Sequence, residues 1–202
     1  MSDTIALAMT GASGAAYGLR LLECLLEAGR DVDLMLSDPA RMVVKMELDL
    51  VLPIRPAEVQ AFFAERFPRA AGRLRVFGKQ QWTAPVASGS NPPQAMVVCP
   101  CTAGTLSSIA HGSSDDLIDR AADVAIKEGR RLILVLREMP LSAIHLENML
   151  KLARLGCVIM PANPGFYHRP ASVAELVDFV VARVLDQLGV AHDLIRPWGE
   201  GD

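Results

Sequence analysis

Arg137 and Glu138 stand directly behind Leu132-Ile133-Leu134-Val135-Leu136, a short apolar run that reads as a buried strand, and Pro140 blocks its simple continuation. A guanidinium and a carboxylate at the mouth of a buried strand are costly unless they are paired or put to use. In open parallel α/β sheets, ligands sit at the carboxyl ends of strands. The pair therefore offers an anion ligand and a general acid or base. A structural ion pair closing the strand is the other reading of the same residues.

Four more segments follow predicted strands. Thr10-Gly11-Ala12-Ser13-Gly14 lies between a strand and a helix. Its small residues let a ligand approach the backbone, and N–H groups at the helix start favour phosphate or another anion. It is neither GxGxxG nor a Walker loop, so a tight turn explains it as well. Ser37 ends the second strand and could bind phosphate or cap a helix. Glu47, further along that helix, reads from pattern alone as a surface charge. Pro100-Cys101-Thr102-Ala103-Gly104-Thr105 repeats the anion-cradle logic after the third clear strand. Two such loops at neighbouring strand ends suggest a phosphate-bearing cofactor. The last segment, Asn163 to Pro170, is stiffened by two prolines. Its Tyr167 could donate to an anion. His111, His145, His168 and His192 are scattered without metal-ligand spacing, so no metal site is expected. Arg120, Lys127 and Arg183 fall on predicted helices, where a solvated face is the default.

The elements that must position these groups alternate in type. Strands are expected at Thr4–Met9, Val32–Leu36, Met96–Cys99, Leu132–Leu136 and Val158–Met160. Helices are expected at Ala15–Ala28, from Ser37 or Asp38 onward, and at Ala57–Phe67, Ala103–Ala110, Leu117–Glu128 and Ala143–Leu155. A further helix is opened by a capping box at Ser172-Val-Ala-Glu175 and closed by Gly189. Arg69 to Gln94 reads as irregular, with one apolar stretch near Val76. The alternation predicts a Rossmann-like, doubly wound parallel sheet flanked by helices. With 202 residues, one domain over 1–202 is expected, with a C-terminal tail from about 190. Apolar residues make up 51% of the chain and aromatics 5%, which favours aliphatic, helix-covered strands over a β-sandwich. A net charge of −3 implies no broad basic surface for nucleic acid. No apolar run is long enough to span a membrane, so a cytoplasmic location is the default. Cys24, Cys99, Cys101 and Cys157 read as buried thiols rather than a disulfide framework.

Taken together, several motifs resemble the UbiX-type flavin prenyltransferases, older members of which were called aromatic-acid decarboxylases. The carriers are Thr10–Gly14, Ala84-Pro-Val-Ala-Ser-Gly-Ser90, Pro100-Cys101, Asp116–Asp123 and Arg137-Glu-Met-Pro-Leu-Ser142. Ile144-His-Leu-Glu-Asn-Met149 and Phe166-Tyr-His-Arg-Pro170 are the most diagnostic. Their order and spacing run from about Ile5 to Trp198. The resemblance implies a flavoprotein fold, usually a homododecamer, that needs no metal. It implies transfer of a dimethylallyl group from dimethylallyl phosphate to N5 and C6 of reduced FMN. The prenylated FMN would then serve a UbiD-type decarboxylase. By the same resemblance, Gly11, Ala12, Ser13, Ser37, Thr102, Ala103, Gly104, Thr105 and Arg137 should line the FMN site, with Ser13 near N5. Glu47 should stand near the active site, against its reading as a surface charge. Lys127, Glu138, Tyr167 and Arg183 should surround the dimethylallyl phosphate, some from neighbouring subunits, and Trp198 should help cover the site. Ser13, Glu47, Lys127 and Glu138 are the expected catalytic groups.

Three rival readings stand beside it. Cysteine-decarboxylase flavoproteins carry Pro-Ala-Ser-Ala-Asn-Thr, whereas this chain has Gly104 at the place of the functional Asn. A non-catalytic flavin-binding subunit would not need Lys127, Glu138, Tyr167 and Arg183 together. A stand-alone aromatic-acid decarboxylase would need an acid/base or metal cluster that the sequence does not show. The chain departs from the family pattern at Ala162-Asn163-Pro164-Gly165, where Pro-Met-Pro-Ala is usual, and at Met139, where Thr is common. Both departures lie near the expected site.

Overall fold

Alternate residues of the central strands go to opposite faces, and both faces are apolar. Ile5, Leu7 and Met9 join one core cluster, while Ala6 and Ala8 join another. A strand buried on both faces must be covered by helices on both sides, as parallel sheets are. The computed structural model describes residues 3–196 and Gly199. Its elements run β1 (Thr4–Met9), α1 (Ala15–Glu27), β2 (Asp31–Leu36), α2 (Asp38–Leu48), α3 (Pro56–Arg66), β3 (Leu74–Phe77) and β4 (Ala95–Cys101). There follow α4 (Ala103–His111), α5 (Leu117–Lys127), β5 (Arg131–Leu136), α6 (Ala143–Arg154), β6 (Val158–Pro161) and α7 (Val173–Leu188). The sheet order is β3-β2-β1-β4-β5-β6, and all five pairings are parallel. The order reverses direction between β1 and β4. This is the switch point at which open α/β sheets bind ligands.

The first core cluster joins β-strand residues to Leu19, Leu22 and Leu26 of α1, Val59 and Phe63 of α3, and Val181 and Leu185 of α7. The second joins Met96, Val98 and Leu134 to Leu106 of α4, Ala121 and Ala125 of α5, and Leu152 of α6. Pairing of β4 with β5 shifts register between Val98 and Cys101, just before α4 begins.

Two expectations need correction. Arg69–Gln94 is not wholly irregular, because β3 lies inside it and forms a sheet edge. The pattern hides β3 because only four residues pair and much of the pairing is ionic. Arg75 grips the buried Asp33 of β2 through two hydrogen bonds of 2.6 and 2.8 Å, and Arg73 grips Asp31 at 2.9 Å. Ser172 does cap α7 by accepting from the Glu175 N–H at 3.3 Å, but the Glu175 carboxylate reaches past it to the Ala171 N–H at 2.9 Å. The reciprocal capping box is instead at α6. There Ser142 accepts from His145 N–H, and His145 Nδ1 accepts from Ser142 N–H at 3.2 Å. Among the described residues, no helix is long and apolar enough to cross a membrane. The four cysteines are free thiols.

Candidate active site

The loops beyond the carboxyl ends of the strands are stitched in a row by bonds that continue the sheet. Ser37 N–H donates to Met9 O at 3.1 Å, Arg137 N–H to Cys101 O at 3.3 Å, and Ala162 N–H to Leu136 O at 2.8 Å. Thr10 closes the gap at the switch point. Its buried hydroxyl donates to Pro100 O at 2.8 Å and accepts from Thr102 N–H at 2.9 Å. From pattern alone Thr10 reads only as the start of a small-residue loop. Its signal was a hydroxyl at the end of an otherwise apolar strand.

At the start of α1 the anion is supplied by the protein itself. Gly14 takes φ 109°, a conformation that L side chains rarely adopt, and has no side chain to cap the helix. The Glu47 carboxylate of α2 does the capping, accepting from Gly14 N–H at 2.9 Å and Ala15 N–H at 2.8 Å. Ser13 also donates a side-chain hydrogen bond to Glu47. Partial burial pushes the Glu47 carboxyl up, but the Ser13, Gly14 and Ala15 bonds and the Arg137 charge together hold it below its ordinary value. The reading of Glu47 as a plain surface charge fails on these contacts, although the residue is exposed. Gly11 packs against α2, where an added Cβ would stand 2.4 Å from Pro39 Cβ. Ala12 is buried beside it. Ser37 caps α2 by accepting from Ala40 N–H at 3.1 Å, and a hydroxyl that accepts one bond retains one O–H to donate.

At the start of α4 the donors are open. Thr102 caps the helix by accepting from Thr105 N–H at 3.0 Å, and the two threonine hydroxyls are 2.9 Å apart. Ala103 and Gly104 fill the first turn, where N–H groups have no intrahelical acceptor. A Cβ on Gly104 would meet only Thr102 Oγ1, at 3.8 Å. The donor set of this edge (open helix amides, threonine hydroxyls, Ser37 and a guanidinium) fits the phosphate of a mononucleotide such as FMN.

Arg137 and Glu138 are both exposed beyond β5. Among the described residues no ion pair joins them, and Glu138 accepts from Met139 N–H at 3.0 Å instead. A cleft of about 320 Å³ opens beside them, walled by Met139, Leu141 and Ala162 as well as the two charges. Tyr167, on the next loop along, is exposed.

Lys127 and Arg183 lie elsewhere. Lys127 ends α5, four residues before β5 begins, and pairs with Glu128. Arg183 is in the second half of α7 and pairs with Asp186. The C-terminal part of α7 reaches the start of β5, where Arg131 donates to Gln187 O. Lys127 therefore stands at the amino edge of the sheet, about 20 Å from Arg137 and Glu138 across six residues of β5, whereas Arg183 lies one helical turn beyond Phe179, whose ring meets Tyr167. One chain does not bring Lys127 together with Arg137 and Glu138. Trp198 lies outside the described residues. Among the described residues, no cluster of three or more His, Cys, Asp or Glu side chains could hold a metal ion.

A doubly wound sheet with an anion seat at its switch point defines a nucleotide-binding α/β protein of flavoprotein type, and the Flavoprotein family model matches residues 2–185. The similarity then narrows. Flavin prenyltransferase UbiX of Pseudomonas aeruginosa is 58% identical over 198 residues, covering 98% of this chain and 95% of the relative. A solved structure of AnUbiX (PadA1) in complex with FMN and dimethylallyl pyrophosphate matches with TM-score 0.88 and 39% identity over 100% of both chains. A dodecameric FMN-dependent UbiX-like decarboxylase from Escherichia coli O157:H7 matches with TM-score 0.83 and 41% identity, over 96% of this chain and 98% of that one. The chain belongs to the UbiX family of flavin prenyltransferases.

Proposed function

We propose that this chain joins the dimethylallyl group of dimethylallyl phosphate to N5 and C6 of reduced FMN, and that the product serves a UbiD-type decarboxylase. The observation that carries the reading is the meeting of three features at one sheet edge. These are the open start of α4, the Ser13–Glu47 pair at α1, and Arg137-Glu138 beside an apolar-walled cleft. Thr102, Ala103, Gly104, Thr105 and Ser37 would hold the FMN phosphate, with Gly11, Ala12, Ser13 and Arg137 along the rest of the cofactor. Reduced FMN would supply nucleophilic ring positions for alkylation.

The chain's own groups would do the rest. Ser13 would stand at N5, with Glu47 fixing its hydroxyl. Glu138 would take a proton lost from the alkylated ring and deliver it to the departing phosphate. Lys127 and Arg183 would balance the phosphate charge as it leaves. Because Lys127 stands at the opposite edge of its own chain, it would reach the site from a neighbouring copy, while Arg183 would come with the Tyr167 loop of its own chain. That requirement supports a homo-oligomer, and we assign a dodecamer on the likeness to the E. coli structure. Tyr167 would bind the same phosphate, and Trp198 would help close the site. We assign one domain over 1–202 and a cytoplasmic location.

The test is anaerobic. Protein, reduced FMN and dimethylallyl phosphate are mixed, the protein is denatured, and the released flavin is weighed by mass spectrometry. The expected result is a gain of one five-carbon prenyl unit, formed about 100-fold more slowly by Glu138→Gln. Recovery of tightly bound but unmodified FMN would replace this reading with that of an accessory flavoprotein. Dimethylallyl pyrophosphate, run in parallel, decides the donor.

A further inference from the structure

Tyr167 sits on a platform of rings rather than on a backbone ladder. Its ring meets Phe179 edge-on, with centroids 5.7 Å apart and planes at 77°. His168 lies flat on the same Phe179 at 5.3 Å and 9°, and meets Tyr167 edge-on at 5.8 Å. The two His168 ring nitrogens are buried without a hydrogen bond, so the imidazole is placed by packing rather than by polar contacts. Gly165 lies against both rings. A Cβ there would stand 2.9 Å from Phe179 Cζ and 2.9 Å from Tyr167 Cε1. This gives a physical account of one departure from the family pattern, since the usual Ala would crowd the two rings.

Phe179 is well placed to act as a fixed support. It is half-buried in α7 and packs against the larger core cluster. Its neighbour Asp178 ties α7 to α1 by accepting from Arg20 Nε at 2.8 Å. The loop it supports has few backbone bonds of its own, among them Arg169 N–H to Phe166 O at 3.0 Å. Edge-to-face and stacked rings are directional contacts, whereas an aliphatic side chain of similar size fills space without fixing an angle.

We infer that Phe179 is a positioning residue for the prenyl donor: its ring sets where the Tyr167 hydroxyl stands when the donor phosphate arrives. The inference rests on the reading of Tyr167 as a phosphate ligand. It predicts that a change at Phe179 acts on the donor through Tyr167 and leaves FMN alone.

The test uses the full chain in its native assembly, with the KM for dimethylallyl phosphate, kcat and FMN affinity measured for each variant. Phe179→Leu keeps apolar bulk and removes the ring, so it is expected to raise the donor KM about tenfold with kcat and FMN affinity within about twofold. Phe179→Tyr keeps the ring and is expected to restore the donor KM to within about twofold. In a Tyr167→Phe background, Phe179→Leu is expected to add almost nothing, because the group it positions is already gone. Equal weakening of FMN and donor by Phe179→Leu, or a full additional effect in the Tyr167→Phe background, would overturn the positioning role. An unchanged KM in Phe179→Leu alongside a raised KM in Tyr167→Phe would overturn it while leaving the Tyr167 reading intact. An unchanged KM in Tyr167→Phe removes the phosphate-ligand reading and this inference with it.

Discussion

The starts of α1 and α4 face the same edge of the sheet, one on each side of the switch point, and they carry opposite electrostatic loads. Each presents first-turn N–H groups and the positive end of a helix dipole. At α1 the capping position is a glycine with no side chain, and Glu47 fills the seat from another helix. At α4 the cap is local, from Thr102, and the first-turn amides of Ala103 and Gly104 stay open. Two loops that look alike in sequence, both small and hydroxyl-bearing, therefore have different uses. One binds a carboxylate of its own chain and fixes Ser13. The other is left for an anion from outside. A phosphate cannot take the α1 seat while Glu47 holds it, which is the reason the proposed FMN phosphate is assigned to α4.

The strongest way to break this contrast is to make α4 resemble α1. Gly104→Asp would place a carboxylate among the open amides. The position has room for it, since the nearest atom to a new Cβ is 3.8 Å away. A built-in anion at a helix start is mildly stabilising, but two negative charges within a few ångströms repel by roughly 3 kcal/mol at an effective dielectric near 20. The expected outcome is a fold as stable as the wild type with FMN affinity lowered about 100-fold. Fluorescence titration of FMN beside a thermal melt reads both quantities. Unchanged FMN binding would move the phosphate away from α4.

Thr10 links the two halves of the comparison. Thr10→Val keeps the shape of the side chain and deletes the hydroxyl, which leaves the partly buried Thr102 N–H without its acceptor. An unpaired buried donor costs about 1–3 kcal/mol. The loss should appear as a lower denaturant midpoint, with weaker FMN binding because Thr102 then no longer fixes the α4 start. Full stability in this variant would mean that the loops are held by their backbone bonds alone.

How much of this was legible in the sequence follows from what kind of contact holds each part. The central strands and most helices announce themselves, because Leu132–Leu136 and the stripes of α1 and α7 need only local periodicity to be seen. β3 was missed because its pairing depends on Asp33 and Arg75, 42 residues apart, which no window of apolar pattern can join. Arg137, Glu138 and the Thr102–Thr105 loop were visible because they follow strands. Glu47 was not, since its partners Gly14 and Ala15 are 33 and 32 residues away and a carboxylate on a helix ordinarily faces water. The resemblance to a known family supplied Glu47, and the structure supplies its reason. Resemblance likewise grouped Lys127 and Arg183 with the donor site; within one chain β5 separates Lys127 from Arg137 and Glu138, while Arg183 stays one turn from Phe179 and so near Tyr167.

The smallest expected effect tests whether Glu47 belongs to α1 as its cap. Its folded-state pKa lies below the ordinary value of 4.5, so the ionised form is the one the fold prefers. A depressed carboxyl contributes stability that is fully present above the unfolded pKa and is lost as pH falls through the folded value. Glu47→Gln keeps a hydrogen-bond acceptor and deletes the charge. The difference in stability between wild type and variant should then be about 0.3–1 kcal/mol at pH 7, the range for an exposed charge at a helix start. It should hold down to about pH 4.5 and shrink below that, because the wild-type carboxyl becomes protonated and neutral like the amide. Added salt should weaken the difference at pH 7 but not its disappearance in acid. A gap independent of pH would show that Glu47 acts by shape alone.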